Sequence, residues 1–100
     1  MGMQTRGLVS DRSVVVTSGS GAATPVLAAD TSRCYLLLAN PDVALPIYIN
    51  LAGGTALPHA SGSFALAPQT SIQFADFVPT GAITAVTSGG TPILTIITMP

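Results

Sequence analysis

The sequence predicts an all-β domain, a compact β-barrel or jelly-roll sandwich of about eight short strands. Two observations carry that expectation. Val, Ile and Thr recur in short runs bounded by Gly, Pro, Asn and Ser, a pattern that suits pleated, half-buried segments separated by turns. Helix formers that would furnish a solvent face are scarce, with no lysine and no glutamate in the chain, so no amphipathic helix can be drawn.

Taken in order, the first run is Ser13–Thr17, ended by the SGSG signal at Ser18–Gly21. Pro25–Ala28 follows, and then Cys34–Ala39, which stops at the Asn-Pro-Asp turn of Asn40–Asp42. Ile47–Leu51 leads into a long loop, Gly53 to Gly62. Ser63–Ala67 and Ser71–Ala75 are separated by the turn at Ala67–Gln69, and Ala82–Thr87 is preceded by VPTG at Val78–Gly81. SGGTP at Ser88–Pro92 introduces the last run, Ile93–Thr98. Each break holds residues that favour turns, through positive φ, fixed φ or side-chain to backbone hydrogen bonds.

Face patterns differ among these runs. Alternation places Ile47, Ile49 and Leu51 on one face and Tyr48 and Asn50 on the other, as in a half-buried strand. Likewise Ile72 and Phe74 oppose Gln73. Cys34–Ala39 and Ile93–Ile97 are apolar on both faces. In a two-layer domain such strands need a second cover, from the chain's own loops, its N-terminal arm or another subunit. Leu37, Leu94 and Ile96 are therefore the candidate oligomer-interface residues.

Composition supports the subunit. Only 7% of residues are charged and the net charge is −1, against about 25% in an ordinary soluble domain, so little repulsion keeps copies apart. Burial in a closed homo-oligomer would also protect strand edges that otherwise pair without control. Length allows one domain, residues 13–100, after a flexible N-terminal arm at Met1–Arg12 that lacks β patterning. No apolar run approaches the ~18 residues of a spanning helix, and the N-terminal residues lack the apolar stretch of a secretory signal. The expectation is a protein used without membrane insertion or signal-directed export.

Chemistry is sparse. Three arginines against four aspartates give no basic stripe for a phosphate backbone, so nucleic acid is not an expected partner. Cys34, inside an apolar run, reads as a small buried hydrophobe. The candidate acid–base groups are His59, Asp11, Asp30, Asp42 and Asp76. Asp30 and Asp42 sit beside turn residues and fit turn roles, and His59 lies in a Gly/Ala/Ser/Pro-rich loop. No nucleophile elbow, zinc set or phosphate-binding glycine pattern is present in the sequence. The expectation is a protein that is not an enzyme and that uses no cofactor or metal.

The order YLLLANPDVALPIYINLAGG, a loop, FVPTGAITAVTSGG and PILTIIT, spanning Arg33 to Thr98, resembles a pattern in small virion proteins of tailed bacteriophages. The resemblance rests on turn and strand chemistry at Tyr35 to Asn40, Ile47 to Gly54 and Val78 to Ile83. It implies a β-barrel or jelly-roll protein of the particle, similar to head decoration (cement) proteins, which sit on the capsid surface as trimers and clamp neighbouring major capsid subunits. The departures are a charge-poor surface and an unusually apolar loop around His59. By that resemblance the chain is made in the host cytoplasm and acts in the virion as a homotrimer bound to the major capsid protein or another virion protein. Arg6 and Arg12 of the arm, with Gly53, Gly54 and His59 of the loop, are the candidate capsid contacts. Head-fibre, neck or tail components, and a receptor- or carbohydrate-binding β module, are the alternative readings.

Overall fold

A computed structural model describes residues 10–16, 24–57 and 62–99. It contains nine strands among the described residues: β1 (Ser10–Asp11), β2 (Val14–Val15), β3 (Thr24–Leu27), β4 (Tyr35–Asn40), β5 (Ile47–Asn50), β6 (Ser63–Leu66), β7 (Thr70–Phe74), β8 (Ile83–Thr87) and β9 (Ile93–Met99). Every run expected from the sequence has its strand. The addition is β1, which has no alternating pattern to reveal it.

The strands form two antiparallel sheets. The first has the order β1-β9-β4-β7, with β2 also paired to β9, and the second has the order β3-β8-β5-β6. The pairings are nested: β5 with β6, β4 with β7, β3 with β8, and β1 and β2 with β9. A ribbon with its tip at β5–β6 has been rolled up, so that β4 meets β9 and β5 meets β8. Apart from β5–β6 and the β1–β2 continuation, every connection passes from one sheet to the other. The result is a sandwich of jelly-roll type with open edges, and not a closed barrel.

The core lies between the inner faces. Leu36, Leu38, Leu94 and Ile96 from the first sheet meet Ile47, Ile49, Leu66, Ile83 and Ala85 from the second, with Val16 alongside. Burying each of the large aliphatic side chains contributes roughly 1.5–3 kcal/mol against its exposed state, which offsets the conformational entropy of a chain with no disulfide. Phe64 and Phe74 pack at the margin of this cluster. Ile72 and Phe74 point inward with Leu38 and Leu36, and Gln73 points outward beside Leu37, as the alternation predicts.

Turn chemistry fixes the corners. Asn40 is buried, and its Nδ2 donates to the carbonyls of Leu45 (2.8 Å) and Leu66 (3.0 Å) while its Oδ1 accepts from the Asp42 amide (3.1 Å). Asp42 accepts in turn from the amides of Ala44 and Leu45. Asp30 accepts from the Ser32 amide (3.0 Å) and hydroxyl (2.7 Å). Both aspartates therefore hold the turn roles expected of them.

Four expectations are corrected. Tyr48 and Asn50 are buried, not solvent-facing, because the chain after β5 folds back over the second sheet. Asn50 Oδ1 accepts from the amides of Ala52 (2.8 Å) and Gly54 (3.2 Å), and Thr84 Oγ1 joins the Ala56 amide and the Gly54 carbonyl, each at 2.9 Å. Ala56 then packs on Tyr48 and Val86 as a second small cluster. Cys34 is exposed, not buried. It lies one residue before β4, beyond the last register pair of that strand. Ser10 to Arg12, expected within the flexible arm, are instead tied to the sheet, since Ser10–Asp11 pairs with β9 and the Arg12 amide donates to Ile96 O at 2.7 Å; the rest of the expected arm lies outside the described residues. Leu94 and Ile96, expected at an oligomer interface, have no exposed area and belong to the core. The inward row of β9 is thus the even-numbered one, and its outward row is Ile93, Thr95, Ile97 and Met99.

Candidate interaction surface

The two sheets differ in what lies over their outer faces. The middle of the second, over β5 and β8, is covered by its own chain through the Leu51–Leu57 segment just described, while Pro25 and Ala65 at its flanks are exposed. On the first, the register sets out a surface row by row: Asp11, Ile97, Leu37 and Gln73 lie across the sheet, with Met99 and Tyr35 on one side of that row and Thr95, Ala39 and Ser71 on the other. Val15 and Ile93 pair at the end of the strip and are 47% and 50% exposed. Leu37, Ile97 and Met99 are half-buried in the single chain.

Apart from Thr95, which stands between Ile93 and Ile97 on β9, the strip is polar only at its margins. The Tyr35 hydroxyl donates to Gln73 Oε1 at 3.0 Å, which holds both groups over the sheet. Asp11 accepts from the amide (2.9 Å) and hydroxyl (2.6 Å) of Ser13, and Ser13 Oγ also accepts from the Ile96 amide at 3.1 Å. Those hydrogen bonds hold the Asp11 carboxyl below the ordinary aspartate value by stabilising its ionised form. The apolar centre, from Ile93 to Leu37, carries no charge of its own.

Beside this face, between the β1–β2 segment and the chain after β3, is an open cleft of about 480 Å³. Arg12, Ser13, Asp30, Arg33 and Thr98 supply its polar wall. Arg33 is 6% exposed, and its guanidinium donates to three carbonyls: Pro79 at 2.6 Å, Gly81 at 3.4 Å and Ala28 at 2.8 Å. It ties the segment after β3 to the turn before β8 and is structural. Sequence reasoning passed over it, and a single arginine ahead of an apolar strand carries no signal of that task. Arg12 is exposed. Asp30 has its carboxyl lowered first by its bonds to Ser32 and to a smaller degree by Arg33 and Arg12.

Of the candidate contact residues, Gly53 and Gly54 lie on the exposed bend that covers the middle of the second sheet. Gly53 has φ +84° with open space where a Cβ would stand, whereas a Cβ on Gly54 would meet Asn50 Nδ2 at 3.0 Å. Arg12 sits at the opposite sheet, on its edge. Arg6 and His59 lie outside the described residues. Phe77 and Val43, 77% and 78% exposed, were not singled out by sequence and stand on separate connections. Among the described residues, no group of three His, Cys, Asp or Glu side chains is placed to hold a metal ion. Among the described residues, no helix is long and apolar enough to cross a membrane.

Neither the family models nor the curated proteins compared with the chain give a match. The geometry of this chain is therefore the ground for its functional reading.

Proposed function

We propose that the chain is a non-enzymatic structural protein that works as one of many identical copies on a larger assembly, in the manner of a phage capsid decoration protein. The observation that carries this reading is the outer face of the first sheet. A strip from Val15 and Ile93 through Ile97 to Leu37 is left partly open in a chain that covers the middle of its second sheet with its own loop. Val15 and Ile93 at one end and the half-buried Ile97 and Leu37 at the other, with Thr95 between, gather apolar side chains on one open face, the kind of surface that serves as a contact site.

On this reading the strip packs against identical copies, as a homotrimer by the resemblance noted above, and the trimer sits on the head shell against the major capsid protein. Arg12 and the Gly53–Gly54 bend are the described groups offered to the shell. Repetition supplies strength, because each further attachment within one oligomer is intramolecular and multiplies affinity without new chemistry.

Particles prepared without this protein test the reading. They should assemble and then rupture at lower temperature, and the purified chain should restore stability by rebinding expanded shells. Normal thermal stability with loss of host adsorption would replace the cement role with receptor binding.

A further inference from the structure

A two-sheet sandwich has four outer strand edges, here β7, β3, β6 and the broken β1–β2 edge. Each presents backbone N–H and C=O groups that can template another strand unless something blocks them. Three of these edges carry an obstacle. On β3, Pro25 removes a donor and the register shifts between Pro25 and Leu27, both of which hinder strand addition. The β1–β2 edge consists of two-residue strands interrupted at Arg12–Ser13 and flanked by the exposed charges of Asp11 and Arg12. On β6, the returning loop lies at the first residue, where the Leu57 amide donates to Ser63 Oγ at 3.2 Å, and Gly62 with φ +85° ends the extended chain.

The fourth edge, β7, opens after Gln69 with φ +59°, a start like that of β6, but among the described residues no proline, bulge, break or returning loop obstructs the strand itself. Its five residues, Thr70-Ser71-Ile72-Gln73-Phe74, contain no charge, proline or glycine and keep an unbroken register with β4. The first four are exposed. Ile72 is directed inward opposite Leu38 yet remains 36% exposed, and no described strand pairs with β7 on its far side.

The complement of an unblocked edge is another unblocked edge, and this chain offers one. We propose that β7 is the edge through which two copies of this chain pair, antiparallel about a two-fold axis at Ile72. In that register Ile72 lies beside its symmetry mate and closes the open flank. Ser71 of one copy faces Gln73 of the other on the outer side, and Thr70 faces Phe74 on the inner side. No like charges meet, and every opposed pair is one that adjacent strands accommodate. An axis through the central residue of an odd-length strand works for either parity of backbone hydrogen bonds, since both the closely and the widely spaced antiparallel pairs are symmetric. The contact is isologous and closes on itself. It fuses two first sheets into one continuous sheet and stands apart from the apolar outer face, so it does not depend on the capsid reading.

The test uses the full chain in three forms: wild type, Ile72→Lys, and Ile72→Cys in a Cys34→Ser background. Mass in solution is measured at micromolar concentration by sedimentation and light scattering. Wild type should show an even number of chains, and Ile72→Lys, which sets two ammonium groups side by side, should halve it. A fall from two chains to one upholds the pairing alone, and a fall from six to three upholds it together with three-fold assembly. On mild oxidation the cysteine variant should give a covalent dimer, whereas Val43→Cys in the same background should not. Wild-type mass that is odd-numbered or unchanged by Ile72→Lys, with no disulfide dimer from Ile72→Cys, overturns the proposal. The cysteine variant keeps the test decisive where the lysine form fails to fold.

Discussion

Leu37 lies directly opposite Ile97 on the outer face of the first sheet, while its chain neighbours Leu36 and Leu38 face the core with no exposed area. Adjacent residues of one strand thus serve different tasks, and substitution should separate them. Leu38→Ala should lower unfolding free energy by about 2–5 kcal/mol, the cost of a cavity in a packed core, read from urea denaturation. Leu37→Glu should leave monomer stability nearly unchanged and weaken self-association by roughly tenfold or more, about 1.4 kcal/mol or above, read from sedimentation across a dilution series. Equal stability losses at the two positions would mean that the outer strip is core by another route.

Asn50 is the residue that closes the middle of the second sheet. Asn50→Ala removes the acceptor for the amides of Ala52 and Gly54 and should cost about 1–3 kcal/mol, the range for leaving partly buried groups without a partner. The loss should be local. Amide exchange at Ala52, Gly54 and Ala56 should speed up, and Tyr48 should gain solvent accessibility, while exchange across β4 and β9 stays slow. Uniform exchange across both sheets would show that the bend is not a separate cover.

The strand plan is legible because turn residues break the chain at nearly every corner, so the sequence alone places eight runs. Facing is legible only where a strand carries polar residues to mark one side, as Gln73 does. On Ile93–Met99 each row is mainly apolar with one threonine, so a period of two says nothing about which row turns inward, and Leu94 and Ile96, which the sequence offers as interface residues, are core. Tyr48 and Asn50 misled for the opposite reason. A polar row predicts solvent, but a loop whose own amides need acceptors can fold over it, and that contact with Thr84 is remote in sequence. Ser10–Asp11 left no mark at all, since its strand is formed by backbone pairing to β9 and not by side-chain pattern. On the open face of the first sheet, Leu37 carries a sequence signal as the middle of an apolar run, whereas Arg33, which orders the cleft beside that face, carries none.

Arg33 gives a sharper test of shape than of charge. Its guanidinium reaches three carbonyls on two segments, a fork that a lysine ammonium on a flexible stem cannot reproduce. Arg33→Lys should therefore destabilise nearly as much as Arg33→Met, by roughly 2–3 kcal/mol each, in chemical unfolding. Full rescue by lysine would mean that positive charge near Asp30, and not the fork, holds the end of the sandwich.

Acid should weaken the fold through its turns. The carboxyls of Asp11 and Asp30 are lowered chiefly by side-chain and backbone bonds from Ser13 and Ser32, and that of Asp42 by the amides of Ala44 and Leu45. A folded value below the unfolded one means that the unfolded chain takes up the proton first as pH falls. The stabilisation is complete above the ordinary aspartate range, near pH 4, and disappears as pH drops through the lowered folded values. With no glutamate in the chain and His59 as the single histidine, these turns should dominate the acid limb. Thermal unfolding should show a plateau above that range and a decline below it, and Asp42→Asn should flatten part of the decline because its amide does not titrate. A midpoint that falls between pH 7 and 5 would place the controlling group outside these turns.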